Sequence, residues 1–340
     1  MISIQTFEAD AREWDGFVEW APGATYCHLH AWREIMSDVL GHECFYLTAL
    51  DGDGKWHGVL PMVRVRNPLL GHYLVSMPFL NSGGPVGTLD AESAFMAWAV
   101  REARRTRADL LEFRSRRIVA SAPRHSNRKI SVRLPLPPKA DDLFKAFPSK
   151  LRSQIRRPLK EGLVTRFGAG ERAAFFDIYE RTMHRLGTPA LPAALFERIS
   201  KVLPEVVEFG TVYRGDEPVA AGCGFKWHGE FELQWAGALV EHSAVAPNML
   251  LYWSFMERMI AIGVSTFDFG RCSPGGGTHQ FKRQWGGADV ALPWAQWSPR
   301  NVSATPSPER PLMRFAASCW KRLPHAVTAR VGPLIATQLP

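Results

Sequence analysis

Apolar and polar positions along the chain fall into two blocks with the same order of patterns. In the first, Cys44 to Leu50 is largely apolar, turns at Asp51-Gly52-Asp53-Gly54, and returns through Trp56 to Arg66. Asp-Gly and Gly-Asp between apolar runs predict hairpins, because these residues tolerate the backbone of a tight turn. Ala94 to Thr106 then places Phe95, Trp98, Ala99 and Glu102 at helical spacing. Leu110-Leu111-Glu112-Phe113-Arg114-Ser115 follows as a short buried strand. In the second block, Val206 to Tyr213 turns at Arg214-Gly215-Asp216 into Pro218 to Trp227, and Gly229 leads into Phe231 to Ala238. Asn248 to Ile260 carries an apolar stripe at Leu251, Phe255 and Met259. Thr266-Phe267-Asp268-Phe269-Gly270-Arg271 closes this block and resembles the strand that closes the first. The repeated order predicts an α/β chain made of two copies of one unit.

The proline-rich stop at Leu134-Pro135-Leu136-Pro137-Pro138 places the boundary between copies. Asp141 to Lys160 reads as helix interrupted at Pro148 and Pro158, with Gly162 suited to a helix C-terminal position. The expected division is residues 1–138, 139–298 and 299–340. The last part opens with a Pro/Ser-rich linker from Ser298 to Pro311. Leu312 to Leu323 then reads as a basic amphipathic helix, with Phe315, Cys319 and Leu323 on one face and Arg314, Lys321 and Arg322 beside them. Such a helix either touches a membrane surface or packs back on the domain.

Composition narrows the class. The chain has 340 residues, 46% of them hydrophobic and 12 of them Trp, which excludes a disordered polymer. Its five cysteines are scattered with no CxxC pair, which points to a reducing compartment and away from a thiolate zinc site. The first residues lack a basic region followed by an apolar core, and no apolar run approaches the ~20 residues of a membrane span. The expectation is a soluble cytoplasmic protein. A net charge of +8 permits attraction to anionic lipid, nucleotide or RNA.

Candidate chemistry concentrates after the second closing strand. Arg271 is followed by Gly275-Gly276-Gly277 and then by Phe281-Lys282-Arg283-Gln284-Trp285-Gly286. Consecutive glycines let the backbone approach a ligand and aim N–H groups at negative charge. Arg271 and Lys282 bracket that loop with positive charge, as a site for phosphate or a developing oxyanion requires. A simple turn would carry the same glycines. Neither a Walker ending nor a GxGxxG fingerprint is present. Lys150, Arg152, Arg156, Arg157 and Lys160 form a second basic group, in which Arg152, Arg156 and Lys160 share a helix face. That face suits a diphosphate, a nucleotide or an RNA backbone, or is a solvated charged surface. Asp268 either orients Arg271 or is a buried, paired acid. His184 and His279 lie near basic or Gly-rich segments; His28, His30 and His42 are weak metal candidates, and no metal is expected. Asp90 reads as the N-cap of the first long helix.

Three blocks resemble FemAB-type proteins: Pro78-Phe79-Leu80-Asn81-Ser82-Gly83-Gly84-Pro85, the basic segment Lys150 to Gly162, and Asp-Phe-Gly-Arg followed by Phe-Lys-x-x-Trp-Gly. The resemblance spans roughly residues 1 to 295 and is nearest to the FemAB-related proteins associated with exosortase/PEP-CTERM systems and to the BioF2-like acetyltransferases. It implies tandem GNAT-like (acyl-CoA N-acyltransferase fold) units with mixed, mostly antiparallel sheets flanked by helices. It implies an acyl- or aminoacyltransferase acting on an amine of a nucleotide- or lipid-linked envelope or exopolysaccharide precursor. The donor it implies is acyl-CoA or aminoacyl-tRNA, with no bound cofactor and with peripheral contact at the inner membrane surface admitted. Lys282 would stabilise the tetrahedral intermediate with Arg271. Gly275, Gly276, Gly277, Phe281, Lys150, Arg152, Arg156 and Lys160 would hold the donor, and Asn81, Ser82, Gly83 and Gly84 the acceptor. The long helical hairpin of peptidoglycan-acting relatives is missing, which tilts the donor toward a thioester. No Gly-rich loop follows Leu111 to Ser115, so chemistry is expected only in the second unit. The competing readings are a non-catalytic module for nucleotide-sugar or polyanionic ligands, and RNA binding through the arginines between Arg101 and Arg117.

Overall fold

The computed structural model describes residues 2–67, 71–299 and 311–339, so most of the expected Pro/Ser-rich linker lies outside the described residues. The chain forms two compact units, Met1–Lys129 with Ala291–Arg310 and Thr337–Pro340, and Ile130–Val290 with Pro311–Ala336.

In the first unit, β1 (Ser3–Thr6), α1 (Ala11–Trp20) and α2 (Ala31–Glu34) precede the meander β2 (Glu43–Leu50), β3 (Trp56–Asn67) and β4 (Gly71–Val75). The short β5 (Val86–Gly87) pairs with β3, α3 (Leu89–Arg105) crosses over, β6 (Leu110–Phe113) lies parallel to β4, and β7 (Arg124–Ser126) follows. The β2–β3 turn forms as its sequence predicts, with Asp51 Oδ1 accepting from the backbone N–H groups of Asp53 and Lys55 at 3.0 Å each.

The second unit runs β8 (Ile130–Pro135), α4 (Ala140–Ala146), α5 (Ser149–Lys160), β9 (Leu163–Phe167), α6 (Arg172–Leu186) and α7 (Ala193–Val202). The meander β10 (Val207–Arg214), β11 (Glu217–Trp227) and β12 (Glu230–Ala238) comes next, then α8 (Pro247–Ala261), β13 (Thr266–Cys272), α9 (Gly277–Arg283) and β14 (Ala288–Ala291). β13 lies parallel to β12, as β6 does to β4. Strand, two helices, three antiparallel strands, a crossover helix and a parallel strand therefore occur twice. The chain then adds β15 (Trp294–Trp297), α10 (Pro311–Trp320) and α11 (His325–Ala336).

The strand orders are β1-β2-β3-β4-β6-β15-β7, with β5 on β3, and β14-β8-β13-β12-β11-β10-β9. Two strands thus lie across the division expected from the sequence. β8 precedes the proline-rich stop yet pairs antiparallel with β13 in the second sheet. β15 lies within the expected second unit, residues 139–298, yet pairs with β6 and β7 in the first sheet. Side-chain chemistry explains the return of β15. Gln296 Nε2 donates to Glu112 Oε2 at 2.7 Å, Arg114 Nε donates to Glu112 Oε1 at 3.1 Å, and the Arg114 guanidinium sits 4.7 Å from the Trp294 ring. Glu112 is buried, and a buried carboxylate needs such partners.

The α3 cap also differs from expectation. Thr88, not Asp90, is the N-cap and accepts from the Ala91 N–H at 3.2 Å; Asp90 lies in the first turn, where its charge suits the helix dipole. Gly162 does end α5 in a left-handed conformation, φ +76°. Pro158 stays inside α5, while the chain breaks between α4 and α5 at Phe147-Pro148.

In the second unit's core, Phe255 of the mostly buried α8 stacks on Phe231 (5.4 Å) and meets Phe167 edge-on (5.1 Å). The tail packs back on this unit. His184 Nε2 contacts the Leu323 carbonyl at 3.0 Å, and Gly187 approaches Ala317 so closely that an added Cβ would lie 2.6 Å from its carbonyl oxygen.

Candidate functional site in the second unit

The site grows from the carboxyl end of β13. β12 and β13 pair from Glu230–Thr266 to Glu232–Asp268, and no β12–β13 pairing continues beyond that among the described residues, although the strands run on to Ala238 and Cys272. Both strands are bulged nearby. The β11–β12 register shifts at Cys223/Gly224, and the β13–β8 register shifts between Asp268 and Arg271. Gly270 makes the second bulge possible with φ +69°, a conformation that costs an L side chain energy.

Asp268 holds the bulge. Buried, it accepts from Ser131 Oγ, from Arg133 Nε at 2.9 Å and from the Gly270 N–H at 2.8 Å. Of its two sequence readings, the buried paired acid describes it. Ser131 and Arg133 were not singled out in the sequence, because β8 lies more than 130 residues upstream and only strand pairing brings it here.

Lys282 reaches back to the same turn. Its ammonium is buried and donates to the carbonyls of Gly270 (2.7 Å) and Arg271 (3.0 Å). Burial pushes its pKa below the ordinary lysine value, and the nearby Cys272, Asp268 and Glu232 pull it back up. Two of its three N–H donors are thus committed. Arg271 is half-buried and lies opposite Ser131 of β8.

The glycine loop between them is exposed. Gly275 has φ +77° and Gly277 begins the short α9. The Gly275 N–H donates to His279 Nδ1 at 3.0 Å, which leaves the ring proton on Nε2, 2.9 Å from Asp289 Oδ1. His279 is therefore a strut that ties the loop to β14. Phe281 meets Tyr252 edge-on at 4.9 Å, within an aromatic cluster that includes Phe269, Trp285 and Phe147.

That cluster brings the start of α5 to α9, because Phe147 lies 5.6 Å from Trp285. The basic residues of α5 differ in their surroundings. Arg152 Nη1 donates to the carbonyls of Lys145 and Phe147 at 3.0 and 2.7 Å, satisfying the end of α4, and Arg156 lies 5.0 Å from the Phe144 ring. Lys150, Arg157 and Lys160 are exposed. The expected cationic face of Arg152, Arg156 and Lys160 is in part a brace between helices.

A cavity of about 530 Å³ opens elsewhere in this unit, beside α6 and the end of β12, lined among others by Arg181, Thr182, His184, Leu239, Glu241 and His325. It is of the size that small ligands occupy. Arg181 Nη2 donates to Glu241 Oε1 at 2.7 Å, while the buried Thr182 Oγ1 has no hydrogen-bond partner among the described residues. The sequence pointed only to His184 here, because the other lining residues carry no motif.

In the first unit, Asn81, Ser82, Gly83 and Gly84 are buried. Gly84 packs so tightly on Ser115 that an added Cβ would lie 2.1 Å from its Oγ. Arg114 Nη1 donates to the Leu80 carbonyl at 2.9 Å, and the Gly84 N–H donates to the Arg114 carbonyl at 3.0 Å. His28 accepts from the Thr25 N–H at Nδ1 (2.9 Å), so its Nε2–H donates to the Gly84 carbonyl at 2.8 Å. Burial lowers its pKa to about 4. Met77 and Phe79 adopt positive φ, 51° and 70°, so this turn stores backbone strain that its hydrogen bonds hold in place. No group of His, Cys, Asp and Glu among the described residues is arranged to hold a metal ion.

Residues 147–283 match the family described as acetyltransferase (GNAT) domain. No curated protein matches in sequence. Among solved structures the chain is similar to FemX, at 15% identity over 92% of this chain and 100% of that one with a TM-score of 0.65. It is similar to L-PGS from Bacillus licheniformis at 12% identity, covering 92% and 97%, TM-score 0.56. It also resembles a tandem GNAT protein from the clavulanic acid biosynthesis pathway at 13% identity, covering 90% and 100%, TM-score 0.53. Residues 147–283 thus carry a GNAT acetyltransferase domain, and the chain as a whole shares the fold of FemX and of a tandem GNAT protein.

Proposed function

We propose that the second unit transfers an acyl or aminoacyl group to an amine of a nucleotide- or lipid-linked cell-envelope or exopolysaccharide precursor. A lipid-linked acceptor puts the reaction at the inner face of the membrane. The observation that carries this reading is the parting of β12 and β13 beside the Lys282 lock. Two strands that separate leave a gap lined by strand backbone, which suits a donor whose arm contains amides, as the arm of an acyl-CoA does.

In the transfer, a neutral amine attacks the donor carbonyl and forms a C–N bond. The tetrahedral oxyanion then collapses and expels a thiolate from CoA, or the ribose hydroxylate from aminoacyl-tRNA, and the departing anion takes up the proton that the nitrogen loses. The remaining N–H of Lys282 and the Gly277 amide supply positive potential for the oxyanion or a donor phosphate, and Arg271 adds charge at the same strand end; the Gly275 and Gly276 N–H groups are taken by His279 and by the Ser273 carbonyl.

Competition between acetyl-CoA and an aminoacyl-tRNA acceptor-stem mimic, at physiological salt, separates the donors. Saturable CoA binding that weakens in Lys282→Met supports the thioester donor, and preference for the charged stem supports aminoacyl transfer. Tight ligand binding with no turnover of either donor would replace the enzyme reading with the non-catalytic module.

A further inference from the structure

The tail helix α11 is amphipathic in an inverted sense. Its inward face carries Thr328, Gly332 and Ala336, spaced four apart and buried. Gly332 packs there against Ala190 and Trp320. Its outward face carries the larger aliphatics Val327 (44% exposed), Val331 (41%), Leu334 (68%) and Ile335 (37%), which fall within one sector of the helix. Leu323 (41%) just before α11 and Phe315 (68%) on α10 add to the exposed apolar surface. A helix stabilised only by its own domain would place its large apolar residues inward and its small ones outward. An exposed contiguous patch of this kind marks a surface meant to be covered.

Charge selects the occupant. Residues 311–340 contain Arg314, Lys321, Arg322 and Arg330 and no Asp or Glu. These four cations are exposed. A second copy docking patch to patch would oppose like charge to like charge. An anionic lipid surface instead offers an apolar interior for the aliphatic face and negative headgroups for the arginines. No helix among the described residues is long and apolar enough to cross a membrane, so the contact is peripheral.

We propose that α11, with Leu323 and Phe315, docks the protein on the surface of an anionic membrane. This differs from the sequence expectation, which put membrane contact on Leu312 to Leu323 alone. It rests on the tail and stands whether or not the acceptor is lipid-linked.

The test is co-sedimentation of the full chain with phosphatidylcholine vesicles, with and without phosphatidylglycerol. Phosphatidylglycerol is expected to raise the apparent affinity at least roughly tenfold, and added salt to reverse the gain. Val327→Asp with Val331→Asp is expected to abolish binding while leaving the circular dichroism spectrum unchanged, because both side chains are exposed. Arg322→Gln with Arg330→Gln, which leaves the apolar face intact, is expected to remove most of the phosphatidylglycerol dependence. No binding to phosphatidylglycerol vesicles, equal binding to both vesicle types, or undiminished binding by the Asp variant overturns the proposal. So does sedimentation velocity showing a dimer that Val331→Asp dissolves, since the occupant is then a second copy. Vesicle binding is read without turnover, so it can fail while the acyltransferase reading holds, and the reverse.

Discussion

Lys282→Met removes the ammonium that ties α9 to the end of β13 and keeps the length of the side chain. In the native fold Nζ donates to the Gly270 and Arg271 carbonyls at 2.7 and 3.0 Å, and the residue is only 5% exposed. Leaving a buried acceptor without its donor costs about 1–3 kcal/mol, so two carbonyls put the gross loss at about 2–6 kcal/mol. Burying a thioether in place of an ammonium returns about 1–2 kcal/mol. The net expectation is destabilisation centred on about 2.5 kcal/mol, which for a unit of this size lowers the melting temperature by roughly 5–10 °C. Differential scanning calorimetry with and without acetyl-CoA reads this directly. The pH dependence has a definite sign. The folded pKa of Lys282 lies below the ordinary value of 10.5 because of burial. Between the two pKa values the unfolded chain binds more protons than the folded one, so wild-type stability gains with rising pH across that window. The gain is measured as the difference between wild type and Lys282→Met, which cancels other titrations. A variant that melts with wild type would refute the lock, and a difference curve that falls with pH would refute the burial argument.

Gly84→Ala should destabilise the first unit by at least about 2 kcal/mol in urea unfolding, because the new Cβ falls 2.1 Å from Ser115 Oγ. Ser115→Ala should restore only part of this, since Ser115 Cα and Cβ remain at 3.1 Å; full restoration would place the clash in the hydroxyl alone. His28 is held neutral with a folded pKa of about 4 against 6.5 unfolded. Stability should therefore fall by up to about 3 kcal/mol as pH drops from 6.5 toward 4, and His28→Gln should flatten that slope. Asp268→Asn presents an amide that cannot accept from Ser131, Arg133 and the Gly270 N–H together. It should cost about 3–5 kcal/mol, with Arg133→Met in the same chain recovering part of the loss in a double-mutant cycle.

Much of the fold was legible because its signals are local. The Asp-Gly turns, the apolar stripe of Leu251, Phe255 and Met259, and the paired closing strands depend on residues within a few positions of one another, and the structure has them near the expected bounds. The candidate loop was legible for the same reason: Gly275 to Gly277 and Lys282 are neighbours in sequence. What those residues touch was not. Arg152 and Arg156 share a helix face as their spacing predicts, but only the packing of α4 beside α5 turns that face into a brace. Asp268 could not be assigned from its strand, because its partners come from β8.

The sequence by itself determined two α/β units, the order of their elements, and where positive charge and glycine meet, since backbone preference and hydrophobic period act over short distances. Only the tertiary structure decided that β8 and β15 exchange units, that Lys282 points into the protein onto two carbonyls, and that α11 turns its large side chains outward. Each of these depends on which groups distant in the chain are brought together to satisfy a buried charge, a buried carbonyl or an apolar face, and no local pattern encodes that choice.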